Sequence, residues 1–406
     1  MTDLHGAFSQ DPSGHGVASS PLDKRPVVFL VNELGGGFGH IRRLLTVAER
    51  LAAETRPVLF VPNPGAPPLV GCPFPCLRIP PRPARRSPPA LFGLADVLTL
   101  VGYTESAAIE ALLAGWDERM ERWRPALFIG DSAPSARLAS LGRVPFVAIG
   151  DGYVLPPAHL PLPRRAGSAP LEDDVVVLAR YADVQARRGH RAPPNLTALW
   201  CGTRDVICTY PTLDPYQAHR QAAASGPLTP PPPPLPTATH PALFAYLAPT
   251  PKGAAAFAAL ARLDLPTRVY VRDAAWAAPS GVDHLTVLTE PGDLRAEMAA
   301  ASLIVHHGGN GTTETVLALG RPQLLLPNHL EQALTADRLR RCGVGAVPWA
   351  WEDPLALAQA MTAAAVSEPL AQAAQSLARS LPSMEPAVEV IRRKALALIQ
   401  VGAAIA

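Results

Sequence analysis

The chain has 406 residues, 48% of them hydrophobic and 17% charged, with a net charge of +2. That length accommodates two domains with cores of their own, and a weak net charge with no basic run among aromatics speaks against nucleic-acid binding. No stretch is long and apolar enough to span a bilayer; the run Ala395–Ala406 is too short and predicts a packed helix.

Residues 1–22 are small and polar, lack the apolar core of a signal peptide, and predict a disordered tail. Pro26–Asn32 then predicts a strand that runs through Glu33 and Leu34 into Gly35-Gly36-Gly37-Phe38-Gly39-His40. A helix follows, with Ile41, Leu44, Leu45, Ala48 and Leu51 on one face. Further strands are predicted at Val58–Pro62, Ala126–Gly130, Pro145–Ile149 and Asp205–Thr209, alternating with helical segments, which argues for a parallel sheet covered on both faces. Between Pro62 and Pro89 the density of proline forbids a long helix and predicts a long surface loop. The acidic run Glu172-Asp173-Asp174 predicts a solvated turn or helix start rather than a metal site. Cys72, Cys76, Cys201, Cys208 and Cys342 are scattered, complete no zinc set, and read as reduced thiols of a cytoplasmic protein.

A proline run from Pro230 to Pro234 marks a stiff, extended break in the chain. The predicted division is an N-terminal domain over 23–225, a linker over 226–240, a C-terminal domain over 241–384 and a crossing helix over 385–406. Leu243–Leu247 restarts the strand pattern, and Lys252–Leu263, Arg268–Val271, Val287–Thr289, Leu294–Ala301, Leu303–His306 and Gln323–Pro327 continue the alternation. The last helix has Val388, Ile391, Ala395 and Leu398 spaced for burial.

The most informative stretch is Leu303-Ile304-Val305-His306-His307-Gly308-Gly309-Asn310-Gly311-Thr312-Thr313-Glu314. An apolar strand runs into glycines and then a helix. Glycine lets a ligand approach the backbone, and the helix start offers free N–H groups and partial positive charge. Such a site binds an anion, usually phosphate. Together with the loop at Gly35–His40, it predicts two nucleotide-fold halves facing a shared cleft. A dinucleotide-dependent oxidoreductase would need an acidic residue closing its second strand, where Val58–Val61 ends in Pro62-Asn63.

These motifs, with Pro327-Asn328-His329-Leu330-Glu331-Gln332, resemble the GT-B superfamily of nucleotide-sugar glycosyltransferases. The match is to the UDP-glycosyltransferases of the bacterial natural-product and macrolide type, with the peptidoglycan N-acetylglucosaminyltransferases as cousins, and it covers nearly the whole chain after the tail. The resemblance implies an α/β fold of two Rossmann-like domains facing a central cleft, with the C-terminal helix crossing back to the first. It implies that His40 is the catalytic base, paired with Asp131. An imidazole titrates near neutrality and can take a hydroxyl proton, and a carboxylate fixes its tautomer. The donor diphosphate falls by resemblance to Gly36, Gly37, Thr250, His306, Gly308, Gly309, Asn310, Gly311, Thr312 and Thr313, the ribose to Glu314, and the donor sugar to Glu331 and Gln332. His307 reads as a core or capping histidine, and Lys252 as an ordinary exposed lysine. Glu314 also suits the helix dipole as a first-turn carboxylate.

The expected reaction is an inverting transfer without a metal or cofactor. The partners are a nucleotide-sugar donor, UDP favoured, and a small-molecule or lipid acceptor, the latter allowing peripheral membrane association. Leu288–Gly292 lacks the tryptophan that stacks on uracil in plant members, which leaves UDP and TDP open. The acceptor would be shaped by Pro62–Tyr103 and Tyr153–Arg191. The alternatives are a nucleotide-sugar epimerase of the same fold and a non-catalytic nucleotide-sugar-binding partner of an active transferase.

Overall fold

Each half of the chain builds a six-stranded, all-parallel sheet with helices on its faces. The computed structural model describes residues 23–35, 37–82, 93–272, 276–348 and 350–405; the predicted tail over 1–22 and Gly36 lie outside these residues. The first half contains β1 (Val27–Asn32), α1 (Phe38–Leu51), β2 (Arg56–Val61), β3 (Cys76–Arg78), α2 (Leu94–Leu100), α3 (Ser106–Trp123), β4 (Leu127–Asp131), α4 (Pro134–Ser140), β5 (Phe146–Gly150), α5 (Asp174–Arg187) and β6 (Arg204–Ile207). The second contains β7 (Leu243–Leu247), α6 (Pro251–Leu260), β8 (Thr267–Val271), β9 (Leu285–Leu288), α7 (Leu294–Ala300), β10 (Leu303–His306), α8 (Asn310–Leu319), β11 (Gln323–Leu325), α9 (Leu330–Arg341), β12 (Gly345–Ala346), α10 (Pro354–Ala365) and α11 (Glu368–Ser380). A last helix, α12 (Ala387–Ile405), returns to the first half.

The strand orders decide where a ligand can sit. The first sheet runs β3-β2-β1-β4-β5-β6, so the direction of winding reverses between β1 and β4. The second runs β12-β11-β10-β7-β8-β9 and reverses between β10 and β7. At such a switch point the connecting loops leave in opposite directions and open a crevice at the carboxyl ends of the strands. Register places Asn32 opposite Asp131 and His306 opposite Tyr246 at those two points. The sequence-predicted loops around His40 and His306 are therefore at the two crevices.

Every residue of β1, β4 and β5 is buried, as expected for strands covered on both faces. Phe29, Phe60, Phe128 and Trp116 interlock on one side of the first sheet, with Phe29 and Phe60 ring centroids 4.6 Å apart. On the other side α12 lays Ala387, Val388, Ile391 and Ala395 against Val28, Leu30, Ile129 and Val147. Each large apolar side chain so buried contributes roughly 1.5–3 kcal/mol. The pairs Arg50–Glu389 and Arg392–Glu54 fasten the same helix at its edges.

Two stretches differ from the sequence expectation. The proline-rich loop after β2 contains a turn of 3-10 helix at Pro67–Leu69 and the edge strand β3, because Cys76–Arg78 pairs with Leu59–Val61 once the prolines have turned the chain. The segment Tyr153–Arg191 is not all loop: Asp173 caps α5 by accepting from the Val175 N–H at 2.8 Å, and Val177, Tyr181 and Val184 bury one face. The acidic run is thus a helix start. Residues 226–240 carry neither helix nor strand, but the linker is tied down at Leu228 by the Val388 N–H and at Leu235 by the Leu319 carbonyl.

Candidate active site in the interdomain cleft

The front wall of the cleft is built by the loops after β1 and β4. Glu33 is buried and accepts from the Ser135 and Ala136 N–H groups at 3.1 and 2.7 Å, so the β1 loop caps the start of α4. Burial raises its carboxyl above the ordinary range, and the two N–H groups offset this only in part. Ser132 adopts a left-handed turn (φ +50°), and its carbonyl accepts from Glu33 and Leu34 N–H. The two loops are thereby locked to each other.

That lock brings His40 to Asp131. His40 Nδ1 lies 3.0 Å from Asp131 Oδ1, at hydrogen-bond distance but without the alignment of a linear bond. Asp131 is fully buried and the His40 side chain 17% exposed, so one ring edge reaches the cleft. Gly35 makes room for the ring: it sits at φ +111°, and a Cβ there would fall 2.5 Å from His40 Cδ2 and Nε2. The second carboxylate oxygen of Asp131 accepts from Arg43 Nη1 at 2.6 Å. Burial would raise Asp131, but Arg43 and His40 outweigh it and hold the carboxyl below its ordinary value. Arg43 was not among the sequence candidates; on an amphipathic helix an arginine reads as a solvated residue.

The rear wall starts at β10. His306 is fully buried; its Nδ1 accepts from Gly308 N–H at 3.1 Å and its Nε2 donates to Gln323 Oε1 at 2.9 Å. Both ring nitrogens are engaged, and burial followed by the neighbouring His307 pushes the imidazole down to about 3. The expected contact from His306 to the diphosphate is therefore corrected: this side chain braces the loop from beneath. Its neighbour is less enclosed. His307 is only partly buried, packs edge-on against Tyr246 and has no hydrogen-bonding partner at Nδ1 among the described residues. Burial, then Arg272 and His329, push it down to about 4.

Gly308 turns with φ +86°, and Gly309 precedes the first residue of α8. The first-turn N–H groups, at Asn310, Gly311 and Thr312, have no acceptor within their own helix. The Asn310 side chain is committed elsewhere: its amide donates to Glu314 Oε1 at 3.0 Å and its oxygen accepts from Thr209 in the first half. Thr313 is fully buried and its N–H donates to the Gly309 carbonyl at 3.0 Å, so of this pair only the Asn310 backbone is in a position to meet a ligand. Thr250 caps α6 by accepting from Gly253 N–H at 3.1 Å. Lys252 is not a free surface lysine; it donates to the Pro327 carbonyl and lies over Trp351.

The residues assigned to ribose and sugar divide in the same way. Burial pushes Glu314 up to about 7, and Thr209 and Asn310 pull it back only in part. It stands at the seam between the halves. Gln332 is buried and its amide oxygen accepts Asn328 N–H at 2.8 Å, bracing the turn before α9. Glu331 stays partly exposed and faces Asp151 of the first half, and burial together with that neighbouring carboxylate raises it well above the ordinary range. Asp151, at the end of β5, was missed in the sequence because a lone aspartate after a strand carries no motif. On the same seam, a Cβ at Gly37 would lie 3.5 Å from Arg272 Nη1. The two loops thus face one another, with an imidazole–carboxylate pair in front and a helix start behind.

This architecture is shared with solved structures. The chain superposes on the calicheamicin glycosyltransferase CalG4 with a TM-score of 0.68 at 18% identity, covering 93% of this chain and 99% of that one. It is also similar to the glycosyltransferase VinC in complex with DTDP, with a TM-score of 0.62 at 16% identity over 92% and 99% of the two chains. The fold is GT-B. Within this GT-B chain, residues 291–397 match the family described as erythromycin biosynthesis protein CIII-like, C-terminal domain. The match spans α7 to the middle of α12 and so includes the loop from His306 to Glu314 and the start of α9. A segment of 86 residues is 36% identical to O-mycaminosyltylonolide 6-deoxyallosyltransferase of Streptomyces fradiae; it spans 21% of this chain and only 20% of that protein. Among the described residues no helix is long and apolar enough to cross a membrane, and no cluster of His, Cys, Asp and Glu is arranged to hold a metal ion.

Proposed function

We propose that the chain is an inverting glycosyltransferase that moves a sugar from a nucleoside diphosphate donor to a hydroxyl of a small-molecule acceptor. The observation that carries this reading is His40, set 3.0 Å from a fully buried Asp131 on the loop that faces the start of α8. His40 takes the acceptor proton, and Asp131 holds the ring and stabilises the imidazolium. The acceptor oxygen attacks the anomeric carbon from the front wall while the diphosphate leaves toward the rear wall, which inverts the centre. Charge growing on the leaving diphosphate meets the first-turn N–H groups of α8 and the partly exposed His307 imidazole. Fixed dipoles aimed where charge develops favour the transition state over the ground state. Protein groups fill the place a cation would take, and the reaction is proposed to need no metal.

The base of the donor is a pyrimidine in this reading. The sequence favoured uridine; the VinC complex with DTDP supports thymidine as the second candidate. The similarity to transferases acting on tylonolide and calicheamicin supports a bulky, lipophilic acceptor. The test is a panel of UDP- and TDP-sugars with such acceptors, comparing the wild type with His40→Ala. The expected result is release of nucleoside diphosphate, a product of inverted anomeric configuration by NMR, and a variant that binds nucleotide without turning over. Isomerised donor without diphosphate release would establish the epimerase instead. Binding without turnover in both proteins would establish a non-catalytic partner.

A further inference from the structure

We propose that Arg43 is a positioning residue of this site: it pins the second carboxylate oxygen of Asp131 and thereby fixes both the orientation and the charge state of the partner that His40 depends on. The inference rests on His40 being the base proposed above. Its geometric ground is the shared carboxylate, with one oxygen 3.0 Å from His40 Nδ1 and the other 2.6 Å from Arg43 Nη1. Arg43 is one turn along α1 from His40, so a single helix presents both groups to one carboxylate at the end of β4. The Arg43 side chain is only 12% exposed and Asp131 not at all, so water does not screen the pair.

The surroundings make this cation more than a tether. The titratable and charged groups around Asp131 and Arg43 are His40 on α1, Cys208 after β6, Asp151 after β5, and, from the second half, Glu314 on α8 and Glu331 on α9. Arg43 is thus a guanidinium among carboxylates from both walls. Without it Asp131 would be a buried carboxylate with only an imidazole to face. Such a carboxylate either takes up a proton, and no longer orients the base, or holds the imidazolium so strongly that the base stays protonated. In both cases the pair gives up its proton at a higher pH. Arg43 therefore leaves Asp131 ionised to orient the imidazole and steady the imidazolium.

The experiment reads His40 directly. The ring Cε1–H signal of His40 is followed by NMR across pH in the wild type, Arg43→Gln and Arg43→Lys, beside the pH profile of kcat/KM and calorimetric binding of UDP and TDP. In Arg43→Gln the His40 midpoint is expected to rise by about one pH unit, the order expected when a neighbouring unit charge is lost from partly buried protein. The acid limb of the profile should rise with it. Turnover should drop about tenfold or more, with nucleotide affinity changed less than about threefold. Arg43→Lys keeps the charge and should titrate close to the wild type. Where Arg43→Gln does not fold, Arg43→Gln/Asp131→Asn leaves no unpaired carboxylate, and its turnover should match that of Asp131→Asn alone, because Arg43 acts through Asp131; a further drop of about tenfold overturns the proposal. An unmoved His40 midpoint overturns the proposal. Absence of sugar transfer in the wild type, with the NMR shift present, would instead remove the glycosyltransferase reading and leave the Arg43 role standing.

Discussion

Replacing His306 by leucine is expected to loosen the diphosphate loop without removing any contact to the nucleotide. The two ring nitrogens bind Gly308 N–H at 3.1 Å and Gln323 Oε1 at 2.9 Å inside a fully buried site. Leucine fills a similar volume but leaves that donor and that acceptor unpaired. Each orphaned group costs about 1–3 kcal/mol, so the variant should lose roughly 2–6 kcal/mol. For a domain of this size each kcal/mol lowers Tm by roughly 2–4 °C, so a fall of at least about 4 °C is expected in the rear half. Differential scanning calorimetry measures it, with His307→Ala as the contrast. The His307 ring has no partner at Nδ1 to orphan. That variant should melt within about 3 °C of the wild type yet bind nucleoside diphosphate about tenfold more weakly, as loss of one hydrogen bond to a charged group predicts. A His306→Leu protein that melts like the wild type and has lost nucleotide affinity would refute the reasoning and return His306 to direct ligand contact.

Three further outcomes follow from the same geometry. Gly35→Ala forces a side chain into a backbone at φ +111° and places its Cβ 2.5 Å from the His40 ring; turnover should fall at least about a hundredfold while nucleotide binding, measured by calorimetry, is kept. His306 and His307 titrate near 3 and 4 when folded, against about 6.5 for an unfolded imidazole. Below about pH 6.5 the unfolded chain takes up protons that these two rings refuse when folded, a loss of about 1.4 kcal/mol per pH unit for each histidine down to about pH 4, with no contribution above about 6.5. The raised carboxyls of Glu314 and Glu331 act in the opposite sense, so the check is the difference from His307→Ala: wild type should lose denaturant resistance relative to that variant as pH falls from about 6.5 to about 5, and a constant difference contradicts this. Sugar transfer should persist in excess EDTA, and a loss restored by magnesium or manganese would mean that a cation, not the start of α8, meets the leaving group.

The fold was legible because its code is local. An apolar run ending in glycines and followed by a 3.6-residue period announces strand, loop and helix in turn, and both switch-point loops show it. The edge strands β3 and β12 escaped because three and two residues among prolines and glycines carry no period. Within the site, the meeting of His40 and Asp131 came from resemblance; no spacing in the sequence brings position 40 to position 131, and only the pairing of β1 with β4 does. The histidine pair differs in burial, which the sequence did not show. His306 closes a strand whose every residue is buried, so its side chain is enclosed, while His307 begins the turn and stays partly open. Arg43 and Asp151 were invisible because their meaning lies in what the other elements bring to them.

The two places where the chain passes between its halves lie side by side. Pro227 and Leu228, leaving the first half, accept from Ala387 and Val388, which return to it, at 2.9 and 3.1 Å. Gly226 packs against Met384 on the same edge. The two crossings thus sit together on one edge of the cleft. Any opening of the cleft would hinge on the edge where Pro227 and Leu228 meet Ala387 and Val388.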